Sequence, residues 1–310
     1  GNLRGVDSLS YSTEMKMEKT SIKGILTDLK YLVKGLVLVA NVLPILSGFW
    51  IALYVTNTSF LDYWDKFIYM ALGGTLIMAG ALILNNWYEV DLDSAMKRTA
   101  RRPTVTGNFS LKTVLIMGVV ASILGQILLL FTTIEAAIYG FIGWFTYVVL
   151  YTFWTKRRYV SNTIVGSLSG AVTPLIGWAT IETAFHIVPI VLFIILFIWQ
   201  MPHTYAIAMR RYDDYKAANV PMLPVVHGFK RTKISNLFYI VCLLPLPFFL
   251  TSIGTFFVVL TTVLNILWLV VAISGFISKD DERYANLMFY SSLTYLTVVF
   301  GMTSPWTSGR

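Results

Sequence analysis

Apolar residues in this chain gather into blocks long enough to cross a bilayer, set apart by short polar breaks. About 30 Å of hydrocarbon takes ~20 mostly apolar residues in a helix. Nine blocks come close to that length: about 34–55, 67–87, 112–131, 135–154, 162–181, 187–205, 235–253, 255–277 and 286–305. The breaks carry polar or turn-forming residues, among them Asn57-Thr58, Thr132-Thr133, Glu182-Thr183, Ser252-Ile253-Gly254 and Lys279-Asp280-Asp281-Glu282. The stretch 235–277 is twice a bilayer crossing and reads as two spans. Pro44, Pro174, Pro189, Pro202, Pro245 and Pro247 fall within or near spans. Neighbouring helices or water can satisfy the backbone that a proline frees, so kinks are expected there rather than ends. The pattern predicts an all-α polytopic membrane protein with nine transmembrane helices.

Composition supports this. Hydrophobic residues are 56% of the 310, charged residues 13%, and mean hydropathy is +0.68. A soluble domain carries roughly twice that charged fraction. The net charge of +8 would suit a nucleic-acid binder, but in so apolar a chain it reads as lysine and arginine of cytoplasmic loops. The lipid bilayer is therefore the expected partner, and nucleic acid is not. Cys242 stands alone, which excludes an intramolecular disulfide and a cysteine-based metal cluster. No cleavable signal peptide is expected, because the first ~30 residues are polar and lysine-bearing without an apolar stretch before a small-residue cleavage site. Residues 1–30 are expected as a flexible N-terminal segment, 31–306 as one membrane domain and 307–310 as a tail.

The basic residues alternate with the spans. Arg4, Lys16, Lys19, Lys23, Lys30 and Lys34 precede the first span, and Lys97, Arg98, Arg101, Arg102 and Lys112 follow the second. Lys156, Arg157 and Arg158 follow the fourth. Arg210, Arg211, Lys216, Lys230, Arg231 and Lys233 follow the sixth, and Lys279 and Arg283 the eighth. The opposite side has only Lys66 and Arg310. The positive-inside rule then predicts a multi-pass cell-membrane protein with a cytoplasmic N-terminus and an outside C-terminus. The two large loops, 88–111 and 206–234, both fall inside.

Candidate chemistry concentrates after the second span, in Asn85-Asn86-Trp87-Tyr88-Glu89-Val90-Asp91-Leu92-Asp93. On a helix, Asn85, Glu89 and Asp93 are four residues apart and stack on one face, with Asn86 nearly aligned with Asp93. Oxygen-bearing side chains at the hydrocarbon boundary suit a hard divalent cation. Mg²⁺ takes one or two carboxylates and completes its shell with water and substrate phosphates. Lys97, Arg98, Arg101 and Arg102 follow at once and suit a polyanion, arginine because its guanidinium grips phosphate bidentately. Acid for metal and base for phosphate is what a metal–diphosphate substrate needs. The alternative is a solvated loop whose opposite charges pair with one another.

The second inner loop begins within a span at Trp199-Gln200-Met201-Pro202-His203 and continues through Arg210-Arg211-Tyr212-Asp213-Asp214-Tyr215-Lys216. Asp213 and Asp214 again set carboxylates among basic and aromatic residues. His203 reads either as a structural histidine or as a ligand or proton carrier; His186 reads as an outer interfacial residue and His227 as solvated. Gly166 and Gly170 offer close packing in span five.

These residues resemble the UbiA superfamily of intramembrane prenyltransferases. The resemblance rests on Asn85-Asn86, Glu89, Asp91 and Asp93, followed by Arg98-Thr99 and Arg102-Pro103. Trp199 to His203, Asp214-Tyr215-Lys216-Ala217-Ala218 and Pro221-Met222-Leu223-Pro224 make it similar to the branch that farnesylates haem b, as do Lys156-Arg157 with Asn162-Thr163 and the run Pro174 to Trp178. The resemblance spans about Lys30 to Pro305. It implies nine helices around a central cavity opening to the cytoplasmic side, with Mg²⁺ as cofactor and haem b and farnesyl diphosphate as substrates. It also implies that Asn85, Glu89 and Asp93 hold the metal–diphosphate from one side and Asp213 or Asp214 from the other. Lys97, Arg98, Arg102, Lys156, Arg210 and Lys216 would surround the phosphates, Asn86 would border the substrate and His203 would contact haem.

Glu89 stands where much of the superfamily has aspartate, and the second loop lacks the Asp-x-x-x-Asp spacing of quinone-forming members. These departures favour the haem branch, and the metal ligands the resemblance implies are Glu89, Asp93 and Asp214. The implied reaction joins farnesyl to a haem vinyl group with addition of water, giving haem O for a terminal oxidase. A haem A synthase or an oxidase assembly factor is a candidate docking partner. Two rival readings are an enzyme prenylating a phenolic or quinone precursor, and a small-molecule transporter. Transporters place ionisable groups at midplane, whereas these acids and bases lie at one face.

Overall fold

The structure is a computed structural model that describes residues 22–90 and 109–301. All regular structure among the described residues is helical. In chain order the helices are α1 (Ile22–Leu32), α2 (Gly35–Val55), α3 (Trp64–Tyr88), α4 (Leu111–Leu130), α5 (Ile134–Phe145), α6 (Asn162–Ala171), α7 (Thr173–Ala179), α8 (Ile187–Arg210), α9 (Tyr212–Ala217), α10 (Leu223–Leu243), α11 (Thr255–Ile277) and α12 (Asp281–Gly301). A π-helix, Thr146–Thr155, continues α5, and short 3₁₀ turns occupy Phe60–Asp62 and Leu246–Leu250.

Seven stretches among the described residues are helical, long and apolar enough to cross a membrane: Gly35–Val55, Trp64–Tyr88, Leu111–Leu130, Ile134–Thr155, Ile187–Arg210, Leu223–Leu250 and Thr255–Ile277. The other two expected spans differ for local reasons. Segment 162–181 is broken into α6 and α7 at Val172, ahead of Pro174. Proline donates no hydrogen bond to the carbonyl four residues back, and that carbonyl, of Gly170, accepts instead from Thr173 Oγ1 at 2.6 Å. The last segment is α12, whose apolar run is interrupted by Asn286, Ser291, Ser292 and Thr294.

α1 begins at Ile22, within residues 1–30. One boundary corrects the sequence reading. The expected loop 206–234 is largely helix: α8 runs on to Arg210, α9 follows, and α10 starts at Leu223 with a break at Gly228 (φ 84°, ψ 174°). Glycine adopts that positive φ without a Cβ clash.

Close backbone approach holds the bundle. A methyl on Gly177 of α7 would lie 1.9 Å from the Ile45 carbonyl oxygen of α2, and one on Gly80 of α3 would lie 2.3 Å from Ser122 Oγ of α4. In lipid, where apolar burial separates no helix from its solvent, such small-residue contacts supply much of the association. α8 is the central element, packed on α6, α10 and α12. Trp178, Trp268 and Tyr295 are the largest side chains wholly buried in the core.

Candidate active site

The polar cluster forms where α3 ends. Asn85 and Asn86 sit in its last turn and Glu89 is its C-cap residue (φ −105°, ψ 27°); all three are fully buried. The face expected to run on through Asp93 passes out of the described residues beyond Val90. Asp91, Asp93, Lys97, Arg98, Arg101 and Arg102 lie outside the described residues. Glu89 is buried rather than solvated. Its Oε2 accepts from Lys156 Nζ at 2.7 Å, across the bundle. Glu89 Oε1 and Asn86 Oδ1 are buried with no hydrogen-bond partner among the described residues.

Lys156 reaches Glu89 because it ends the π-helix. Its N–H donates to the Tyr151 carbonyl, five residues back, at 2.8 Å. A π segment carries an extra residue in its turn and re-aims the side chains after it, often at functional sites. Here Thr152 Oγ1 accepts from Asn85 Nδ2 at 3.0 Å, and Lys156 Nζ stands 5.6 Å from the centre of the Tyr151 ring. Burial, the largest single influence, works against the Lys156 ammonium, but Glu89, Tyr151, Tyr147 and Tyr215 together outweigh it and hold the pKa above its ordinary value. Tyr215 belongs to α9, so the second inner loop bears on the same lysine.

The junction of α1 and α2 closes the cluster from a third side. Lys34, in a left-handed backbone conformation (φ 51°, ψ 65°) at the start of α2, donates from Nζ to Asn85 Oδ1. Asn86 Nδ2 donates to the Leu32 carbonyl. Asn162 Nδ2, from α6, donates to the Lys156 carbonyl at 2.9 Å. The sequence reading used Lys34 only for orientation. A lysine at the inner edge of an apolar block carries that signal and no other.

Beside the cluster a cavity of about 680 Å³ lies between α2, α3, the π-helix, α6, α8 and α12, a volume ordinary for small-molecule sites. Tyr147 and Tyr151 line one wall, Trp199, His203 and Phe289 another, and Arg210 and Arg211 also border it. Tyr151 thus belongs both to the cavity wall and to the surroundings of Lys156. Trp199 and Tyr151 belong to the cavity wall. Tyr88 instead packs on Phe153 at 4.6 Å, and Trp87 packs in the apolar cluster around Leu32, Ile83 and Val114.

His203 is held on both faces. Its ring stacks on Trp199 at 4.4 Å and on Phe289 at 5.7 Å, and its Nδ1 lies 2.7 Å from Ser292 Oγ. The Arg210 guanidinium lies 4.2 Å from the centre of the Phe289 ring, on a helix one to two turns further along α8 from His203. Asp213 and Lys216 are exposed on α9 and Asp214 is half-buried. Among the described residues no three His, Cys, Asp or Glu side chains converge as a metal site. His186 caps α8, its Nδ1 accepting from the Val188 N–H at 3.1 Å, and His227 is exposed.

Comparison with known proteins places this helical membrane bundle in a class. The profile of the UbiA prenyltransferase family matches residues 41–293. The protoheme IX farnesyltransferase of Oceanobacillus iheyensis is 50% identical over 275 residues, 88% of this chain and 88% of that one. That of Bacillus thuringiensis is 50% identical over 276 residues, 89% of this chain and 90% of that one. Among solved structures, digeranylgeranylglyceryl phosphate synthase superposes with a TM-score of 0.72 at 17% identity, covering 90% of this chain and 96% of that one. A UbiA homologue from Archaeoglobus fulgidus bound to DMAPP and Mg²⁺ superposes with a TM-score of 0.66 at 15% identity, covering 87% and 99%. The chain belongs to the UbiA prenyltransferase family.

Proposed function

We propose that this protein transfers the farnesyl group of farnesyl diphosphate to a vinyl group of haem b, adding water to give haem O and diphosphate. The observation that carries the reading is the junction of two environments at Tyr151: the buried Asn85–Glu89–Lys156 cluster on one side, the aromatic-walled cavity on the other. A diphosphate head needs the first, and an isoprenoid tail with a flat apolar acceptor needs the second. The 50% identity to proteins named protoheme IX farnesyltransferase supports haem b as that acceptor.

The chemistry asks for stabilised charge, not for a protein nucleophile. The bond from farnesyl C1 to the diphosphate oxygen breaks and its electrons leave with the diphosphate. The vinyl π pair forms the new carbon–carbon bond to C1, and water adds to the cation left beside the pyrrole and gives up a proton. Lys156 would stabilise the charge growing on the leaving group, together with Lys97, Arg98, Arg102, Arg210 and Lys216. Fixed charges in a site closed to water cost no reorganisation at the moment of reaction. Tyr147, Tyr151 and Trp199 would face the cationic carbon with their π surfaces. His203 would contact the haem.

The residues present fit Mg²⁺. Glu89 Oε1 and Asn86 Oδ1 are buried hard oxygen donors without a partner among the described residues, the chemistry this ion prefers. Glu89 and Asp93 would hold it, with Asp214 from α9. When bound, the ion neutralises diphosphate charge. We further propose that the end of the bundle bearing Lys34, Lys156 and Arg210 faces the cytoplasm, as the positive-inside rule directs.

The test is product analysis. Purified protein in lipid nanodiscs, given labelled farnesyl diphosphate and haem b with Mg²⁺, is expected to yield a haem heavier by one farnesyl group and one hydroxyl. The Asp93→Ala variant should not. Labelled 4-hydroxybenzoate product in place of haem product, or substrate movement across proteoliposomes without diphosphate release, would replace this reading with one of its rivals.

A further inference from the structure

The hydrogen bonding around His203 decides which of its two nitrogens carries the proton. Ser292 is fully buried on α12, and its Oγ donates to the Phe289 carbonyl at 2.5 Å. A hydroxyl has one proton to give, so in its 2.7 Å contact with His203 Nδ1 the serine oxygen accepts. Nδ1 is then the protonated nitrogen. Nε2 keeps its lone pair and has no hydrogen-bond partner among the described residues, in a ring that lines the cavity. His203 thus has a proton donor fixed to the protein and an acceptor left toward the cavity.

Ser292 also sets the ring's plane. Its carbonyl accepts from Trp199 Nε1 at 2.9 Å. Trp199 in turn stacks on His203 within 15° of parallel, and Phe289 closes the other face at 21°. One residue therefore anchors the tautomer directly and the stacking partner through a second bond. A ligating histidine is ordinarily oriented in this manner, through a hydrogen bond on the nitrogen away from the metal.

We propose that Ser292 is a positioning residue that fixes His203 as its Nδ1–H tautomer so that Nε2 binds the iron of the acceptor porphyrin. The proposal rests on the haem reading above and adds the atom that meets the iron and the residue that aims it. The coordinate bond forms from the Nε2 lone pair, with no proton or electron exchanged.

The experiment uses the full chain in nanodiscs titrated with ferric haem b and, separately, with metal-free protoporphyrin IX, which offers no iron to ligate. The unaltered protein is expected to show the absorption spectrum of a histidine-ligated haem. Ser292→Ala should weaken haem binding by about tenfold or more and change that spectrum, while leaving protoporphyrin IX binding within about twofold. Ser292→Thr, which keeps the hydroxyl, should restore the spectrum. His203→Ala should lose it. An unchanged haem spectrum and affinity in either alanine variant overturns the assignment while leaving the farnesyl-transfer reading intact. Equal weakening toward haem and protoporphyrin IX also overturns it, since that marks a role in cavity shape alone. Failure of the unaltered protein to bind either porphyrin removes both readings.

Discussion

Lys156 and Glu89, 67 residues apart, meet in a 2.7 Å ion pair at the buried end of α3. The carboxylate is wholly shielded from solvent, whereas the lysine side chain retains 15% of its exposure. The pair is worth more as geometry than as net stability. Removing one member of a buried pair leaves an uncompensated charge and costs about 3–5 kcal/mol, whereas replacing both is often nearly neutral. Lys156→Met alone is thus expected to lower the thermal unfolding midpoint clearly. The double variant Lys156→Met/Glu89→Gln should recover most of that loss and still turn over no substrate. A double variant as unstable as the single one would show that the pair is not what the site's fold depends on.

The same pair makes a statement about pH. Lys156 has a pKa raised above its ordinary 10.5. A raised pKa stabilises the folded state fully at pH values below the unfolded one and loses that contribution only as pH climbs through the folded value. Lys156 therefore contributes no pH dependence to stability until about 10.5 is passed. Unfolding midpoints of the unaltered protein and of Lys156→Met/Glu89→Gln, which leaves no buried carboxylate to titrate, should stay a constant interval apart across neutral and mildly alkaline pH. A gap that narrows across that range would contradict the assignment.

The π-helix predicts an effect of chain length rather than of chemistry. Deleting Val149, within Thr146–Thr155, should relax the segment toward an α-helix and rotate Thr152 and Lys156 away from Asn85 and Glu89. Misplacement of about 1 Å can cost ~100-fold in rate. The deletion should lower turnover by at least that much, with helical content by circular dichroism unchanged. Turnover within a few-fold of normal would mean the register is not needed.

Lys34 tests the contribution of the α1–α2 junction. It donates to Asn85 Oδ1, and Lys34→Met removes the donor while keeping much of the chain's apolar length. Losing a charge-assisted bond to a buried amide costs roughly 1.5–3 kcal/mol. The expected reading is a fall in kcat/KM for farnesyl diphosphate of tenfold or more, measured by diphosphate release. Unchanged kinetics would assign Lys34 to membrane orientation alone.

Gly177 is a packing prediction. A Cβ there would meet the Ile45 carbonyl at 1.9 Å, and backbone cannot swing aside as a side chain can. Gly177→Ala should cost about 3 kcal/mol or more by overpacking. Gly170→Ala, whose Cβ would meet the end of the Gln200 side chain at 2.2 Å, should cost less. Comparison of the two unfolding midpoints checks the order.

Much of this protein is legible in one dimension. Long apolar blocks, short polar breaks and alternating basic loops specify a helical membrane bundle, because a helix in lipid must satisfy its backbone within itself. The resemblance carried by Asn85 through Asp93 and by Trp199 to His203 points to the family before any contact is known. Local departures escape that reading. A carbonyl freed by Pro174 and taken by Thr173, or a left-handed Lys34, depends on atoms that apolar periodicity does not register.

The site itself is decided by tertiary structure. Spacing puts Asn85 and Glu89 on one face, but only folding shows that Glu89 is buried against Lys156, 67 residues away. Spacing also leaves His203 open between a structural and a binding role. The side chain that chooses its tautomer, Ser292, lies 89 residues away on another helix. Helix formation and membrane insertion follow from composition over one turn or one bilayer thickness, so the chain states them locally. Partner, protonation and burial follow from which helices pack together, and that is settled only by small residues such as Gly177 and Gly80 letting distant backbones meet.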